Sequence, residues 1–163
     1  MDIVELYVGI AQIAIALAGF TGVVVAFGSR SEGAWHPGDR LRLSFLLEAS
    51  LTAAGFSLLA LLVVAVFGDT GFSWVLLSIC WALFTISSLW FSHRQIRDDV
   101  GAHDDVDKLA NRLTTLSFVT LIALQLVNVL LWQHYSVFLA AVILNLAGAA
   151  MQFARLIRSA FRV

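Results

Sequence analysis

The spacing of charges constrains this chain more than any other feature. Between Glu5 and Arg30 lie 24 residues without Asp, Glu, Lys or Arg; between Glu48 and Asp69 lie 20, between Asp69 and Arg94 lie 24, and between Arg112 and Arg155 lie 42. A helix that crosses a bilayer needs about 20 mostly apolar residues, because each adds ~1.5 Å and the hydrocarbon core is ~30 Å thick. The first three runs supply one crossing apiece. The fourth, as a single helix, would reach ~63 Å, about twice the core. It must therefore reverse, and the polar patch Gln133-His134-Tyr135-Ser136 is the place for it.

The expectation is an all-α, polytopic integral membrane bundle of five transmembrane helices, forming one transmembrane domain over residues 1–163. The spans are placed near 3–28, 41–67, 73–92, 113–132 and 137–157, with a cytoplasmic helical hairpin at 93–112. Barrel strands would alternate apolar and polar residues with period two, whereas these runs are continuous. In lipid, such runs satisfy their backbone polar groups only as helices. Composition points the same way: 60% of the chain is hydrophobic and 13% charged, against roughly 45–50% and about 25% in soluble domains. A cleaved leader would carry a basic start, but Asp2 and Glu5 precede the first run with no Lys or Arg, so that span is expected to be retained.

All ten basic residues fall in three segments. Arg30, Arg40 and Arg42 lie between the first two spans. Arg94, Arg97, Lys108 and Arg112 lie between the third and fourth. Arg155, Arg158 and Arg162 lie at the end. With five spans these segments share one face, and the positive-inside rule makes that face cytoplasmic. The N-terminus is then outside and the C-terminus inside, in a multi-pass protein of the plasma (inner) membrane. The first span's small residues resemble those of bacterial inner-membrane proteins in general. So lopsided a count also argues against copies inserted head to tail.

The loops supply no catalytic pattern. Trp35 and His36 are expected at headgroup level, and Pro37 suits the first turn of the second helix, where its missing N–H costs nothing. Gly101 is the expected break in the second loop. Asp104 and Asp105 would cap a fourth helix rising from there. His103 with the neighbouring aspartates is the nearest thing to a metal set, but it lacks the EF-hand order and any HExxH or CxxC spacing. A solvated helix–loop–helix is the simpler reading, with no metal and no cofactor. No phosphate loop, nucleophile elbow or basic-aromatic nucleic-acid pattern is present, and no His lies within a span to hold haem. The reading is a non-enzyme that binds no nucleic acid.

Within the spans, polar residues mark candidate sites. Glu48 stands on a stripe with Ser44, Thr52 and Gly55, at steps of four, four and three. A charge in hydrocarbon costs some ~2.5–3.5 kcal/mol, so Glu48 should face protein or water. It is either a structural carboxylate, protonated or paired with Arg42, Arg112 or Arg155, or a cation or proton site in a cytoplasmic vestibule. Gln152 is placed near its level. Gln125, Asn128 and Asn145 form a candidate polar network between helices; interhelical glue is favoured over a permeation lining. Ala14, Ala18, Gly22 and Ala26 recur every four residues and predict close helix packing, with the first span central in the bundle or between subunits. The third span, with Trp74, Trp81 and Trp90, is expected to face lipid, its outer tryptophans in the interfacial belts. Arg155, Arg158 and Arg162 are expected at lipid headgroups, as anchors or as a specific anionic-lipid or partner site.

Two functions remain open. One is a parallel homo-oligomer that acts as a cation or proton channel or transport protein, with an axial path created by cyclic symmetry. The other is a non-catalytic accessory or effector subunit that binds a partner protein through its cytoplasmic loops.

Overall fold

The computed structural model describes residues 2–28, 37–100 and 108–160, with side chains described over 2–24, 42–91, 94 and 115–158. Helix α1 spans Ile3–Gly28, α2 Pro37–Phe67, α3 Gly71–Val100, α4 Lys108–Val127 and α5 Tyr135–Ala160, and a π-helical turn, Asn128–Trp132, extends α4. Five helices are long and apolar enough to cross a membrane, over Ile3–Val24, Arg42–Phe67, Gly71–Phe91, Thr115–Trp132 and Tyr135–Arg158. The helices outrun the apolar runs: α2 starts at Pro37, and α3 continues to Val100. Hydropathy marks the stretch that suits hydrocarbon, whereas helical hydrogen bonding continues beyond it into polar sequence. Gly33, Trp35, His36, Gly101, His103, Asp104, Asp105 and Arg162 lie outside the described residues, as does the expected start of the fourth helix.

The helix ends follow from local chemistry. Asp2 caps α1: its Oδ1 accepts the Val4 N–H at 3.1 Å, and Glu5 adds negative charge at the same positive end. Gly68 closes α2 at φ +77°, a conformation that side chains with a Cβ resist. Thr70 then caps α3, its Oγ1 accepting the Ser73 N–H at 3.4 Å, while the Ser73 hydroxyl donates to the Gly68 carbonyl at 2.7 Å.

The chain divides into two compact units, one made of Met1–Ala65 and Val142–Val163, the other of Val66–Ala141. In the first, Leu46, Ala149 and Leu156 form a buried cluster backed by Val24, Leu43, Ala49 and Phe153. The second is organised around α3, which packs on α4 and on the π turn. There Trp74 and Trp81 are buried, and Phe138 of α5 stands against both, at 6.2 and 5.7 Å between ring centroids.

One expectation about helix placement is corrected here. Trp74 and Trp81 point into the second unit's core, not outward as the lipid-facing reading of α3 had it. Trp74 Nε1 donates to Asp69 Oδ1 at 2.6 Å, so the buried indole finds its polar partner in the side chain of an exposed turn residue instead of in a headgroup. Trp90 and Phe91 do remain exposed, so α3 has one face inward and one outward. On α1, Tyr7, Ile10, Ala11, Ala14 and Thr21 are buried, while Ile13, Ile15, Phe20 and Val23 are exposed.

Candidate functional site

The α2 stripe lies at the surface of the first unit. Ser44 and Gly55 are exposed, and Glu48 and Thr52 are half-buried between them. A Cβ at Gly55 would meet nothing within 4 Å. Leu51, between Glu48 and Gly55 on the same side, is 58% exposed, and Leu58 and Leu62 are exposed further along. The stripe from Ser44 to Gly55 spans ~17 Å at the helical rise and carries an apolar side chain beside its polar ones.

Asn145 fixes the register of α2 against α5. Its Nδ2 donates to the Ala49 carbonyl at 2.9 Å, and the cluster of Leu43, Leu46, Ala149 and Leu156 shows α5 descending as α2 ascends. Glu48 is one residue from Ala49, whereas Gln152 is seven from Asn145 in the same direction. Their backbones therefore differ in depth by about six residues, or ~9 Å. Gln152, half-buried, lies level with Arg42 instead of with Glu48, which corrects its expected depth. Half-buried Arg155 and exposed Arg158 follow at that same end of the unit, with Arg42 half-buried there too.

The three amides do not form one network. Asn128 is fully buried; its Nδ2 donates to Ser78 Oγ at 2.8 Å and its Oδ1 accepts the His134 N–H at 2.9 Å. Asn145 serves a different pair of helices, α2 and α5. Gln125 is fully buried, and neither amide atom bonds to a described group.

Of the small-residue row on α1, Ala14 is buried, Ala18 half-buried and Gly22 exposed with open space at its Cβ position; the Ala26 side chain lies outside the described set. Sequence reasoning missed Ser78, the partner of Asn128. Its signal was the run Trp74, Ser78, Trp81, Thr85 at steps of four, three and four, all four buried on one face of α3. Among the described residues, no three of His, Cys, Asp and Glu gather where they could hold a metal ion. The chain matches no known family model, no curated protein and no solved structure.

Proposed function

We propose that this chain is a multi-pass protein of the plasma membrane, N-terminus outside and C-terminus cytoplasmic, whose copies associate in parallel. Between them, the polar start of α2 forms a cytoplasmic vestibule for cations or protons. The observation that carries this reading is the outward position of the α2 stripe. Ser44 presents its hydroxyl outward beside the half-buried Glu48. A second copy, with water held between the two, gives that polar face a polar surrounding. Glu48 supplies the negative field there, and Ser44 and Thr52 supply hydroxyls that can replace hydration. Arg42, Arg155 and Arg158 share one end of the first unit, as the positive-inside reading requires.

The test is purification in detergent and in nanodiscs for copy number, followed by cation and proton flux in proteoliposomes. A monomer without flux retires the proposal. Labelling of single cysteines at positions 70 and 102, in a Cys80→Ser background, tests orientation: position 70 should react from outside and position 102 from inside.

The alternative function, an accessory subunit, has one observation in its favour. Helix α3 continues past Arg94, where its charge-free run ends, to Val100, and α4 begins at Lys108, before the charge-free run that follows Arg112. The extra length of α3 is ~9 Å at the helical rise. Two helices that outlast their apolar stretches offer a partner protein a surface clear of headgroups. Co-purification of a stoichiometric partner, lost when residues 97–107 are replaced by a short Gly/Ser linker, supports this reading over transport.

A further inference from the structure

We propose that His134 is a pH-sensitive cap on α5, holding the helix start when its imidazole is neutral and releasing it on protonation. His134 lies between the apolar stretches that end at Trp132 and begin at Tyr135, and it is exposed. Its Nδ1 accepts the backbone N–H of Ser136 at 3.3 Å and lies 2.8 Å from Ser136 Oγ. An N–H can only donate, so in the capping arrangement Nδ1 is bare and the ring proton sits on Nε2. This is the task that Ser, Thr, Asp or Asn performs at most helix starts. Those residues would cap α5 without regard to pH near neutrality. Imidazole is the side chain that ordinarily changes charge between pH 5 and 8.

Protonation reverses the arrangement. Nδ1 becomes a donor, so the Ser136 amide loses its acceptor, although the ring can still donate to Ser136 Oγ. A positive charge also arrives at the positive end of the α5 dipole. The groups around it are few. Tyr135 lies against the imidazole at 4.5 Å between ring centroids, and Trp74 lies 6.0 Å from Tyr135. The charged group that the neighbouring loop brings to this end is Asp69, whose Oδ1 accepts from Trp74 Nε1. Gly71 of α3 approaches the same reversal so closely that a Cβ there would sit 3.0 Å from Gln133 Oε1.

The cap is wired into the second unit. The His134 N–H donates to Asn128 Oδ1, the Gln133 N–H donates to the Asn128 carbonyl at 2.8 Å, and Asn128 Nδ2 holds Ser78 on α3. Gln133 itself is held at φ 49°, a left-handed conformation that a non-glycine residue keeps only when its surroundings impose it. Loosening the first turn of α5 therefore loosens the chain reversal and the bond between α3 and α4.

The experiment is hydrogen exchange of the Ser136 and Val137 amides in the full chain in nanodiscs, from pH 8 to pH 5, corrected for the intrinsic exchange rate. Wild type, His134→Asn and Asp69→Asn are compared. Protection in wild type and in Asp69→Asn should fall about tenfold across the range, the size of a lost cap, and stay level in His134→Asn. A flat wild-type profile, a fall shared by His134→Asn, or a fall abolished only by Asp69→Asn overturns the proposal. Nitrogen NMR of labelled histidine in wild type gives a check that needs no variant. At pH 8 it should find Nδ1 bare, and a proton on Nδ1 overturns the assignment.

Discussion

The Asn145 carboxamide donates to the backbone carbonyl of Ala49 at 2.9 Å, joining two helices through residues 96 apart in sequence. The acceptor is a main-chain oxygen, so no side chain on α2 announces it. The bond sets the level of α5 on α2, and with it the depth of Gln152 relative to Glu48.

Asn145→Ala should lower the thermal stability of the protein in detergent without unfolding it. Ala49 keeps its place in the α2 helix, so the change removes one hydrogen bond of the half-buried kind. The expected loss is about 0.5–1.5 kcal/mol, given that interhelical bonds in membranes tend toward the low end. An unchanged unfolding midpoint would show that the bond contributes nothing to holding the two helices together.

Asn128 carries more. Its side chain serves Ser78 on one side and the His134 amide on the other, in a fully buried position. Ser78→Ala should cost about 1 kcal/mol and Asn128→Ala about 2–3 kcal/mol, because the second change also leaves the His134 N–H without its acceptor. The double variant should cost less than the sum of the two, since both single changes break the same bond. Additive losses in thermal or denaturant unfolding would show that the two side chains do not interact.

Charge-free runs made the five helices legible, because the cost of placing a charge in hydrocarbon leaves few alternatives. The reversal at Gln133 and His134 was legible for the same reason: one run was too long for one crossing. Facing was harder to read. Trp74 carries the same letter whether its indole N–H meets a headgroup or Asp69, and only the fold brings Asp69 to it. The π-helical turn was hidden too, since Asn128–Trp132 reads as ordinary apolar helix and its wide turn is closed by a backbone bond, the Gln133 N–H to the Asn128 carbonyl. In the candidate site, the α2 stripe was legible from period alone. Its outward position was not, because period groups residues on a face without saying where that face points.

Gly22 separates two roles for the small residues of α1. Within the chain a side chain there has room, with nothing within 4 Å of an added Cβ. Gly22→Leu should therefore leave the stability of the isolated chain nearly unchanged. If α1 is the seam between copies, the same substitution should break the assembly, because closely packed backbones cannot admit the added volume. Native mass measurement in detergent and nanodiscs reads the copy number of both proteins. An unchanged oligomer would move the seam away from α1.

Glu48 decides between the two uses of the α2 stripe. Glu48→Gln preserves shape and hydrogen-bonding capacity while removing the titratable charge. If the carboxylate faces a water-filled vestibule between copies, flux in proteoliposomes should fall at least tenfold or lose its dependence on pH, with the unfolding midpoint held. If instead it balances an arginine at the same end of the first unit, the midpoint should fall, because a half-buried cation is left without its counter-charge. Glu48 stands one turn from Thr52 and two from Gly55, where an added Cβ would meet nothing within 4 Å. Flux that is unchanged in Glu48→Gln, with stability lost, would assign the residue to structure and leave any conduction to another path.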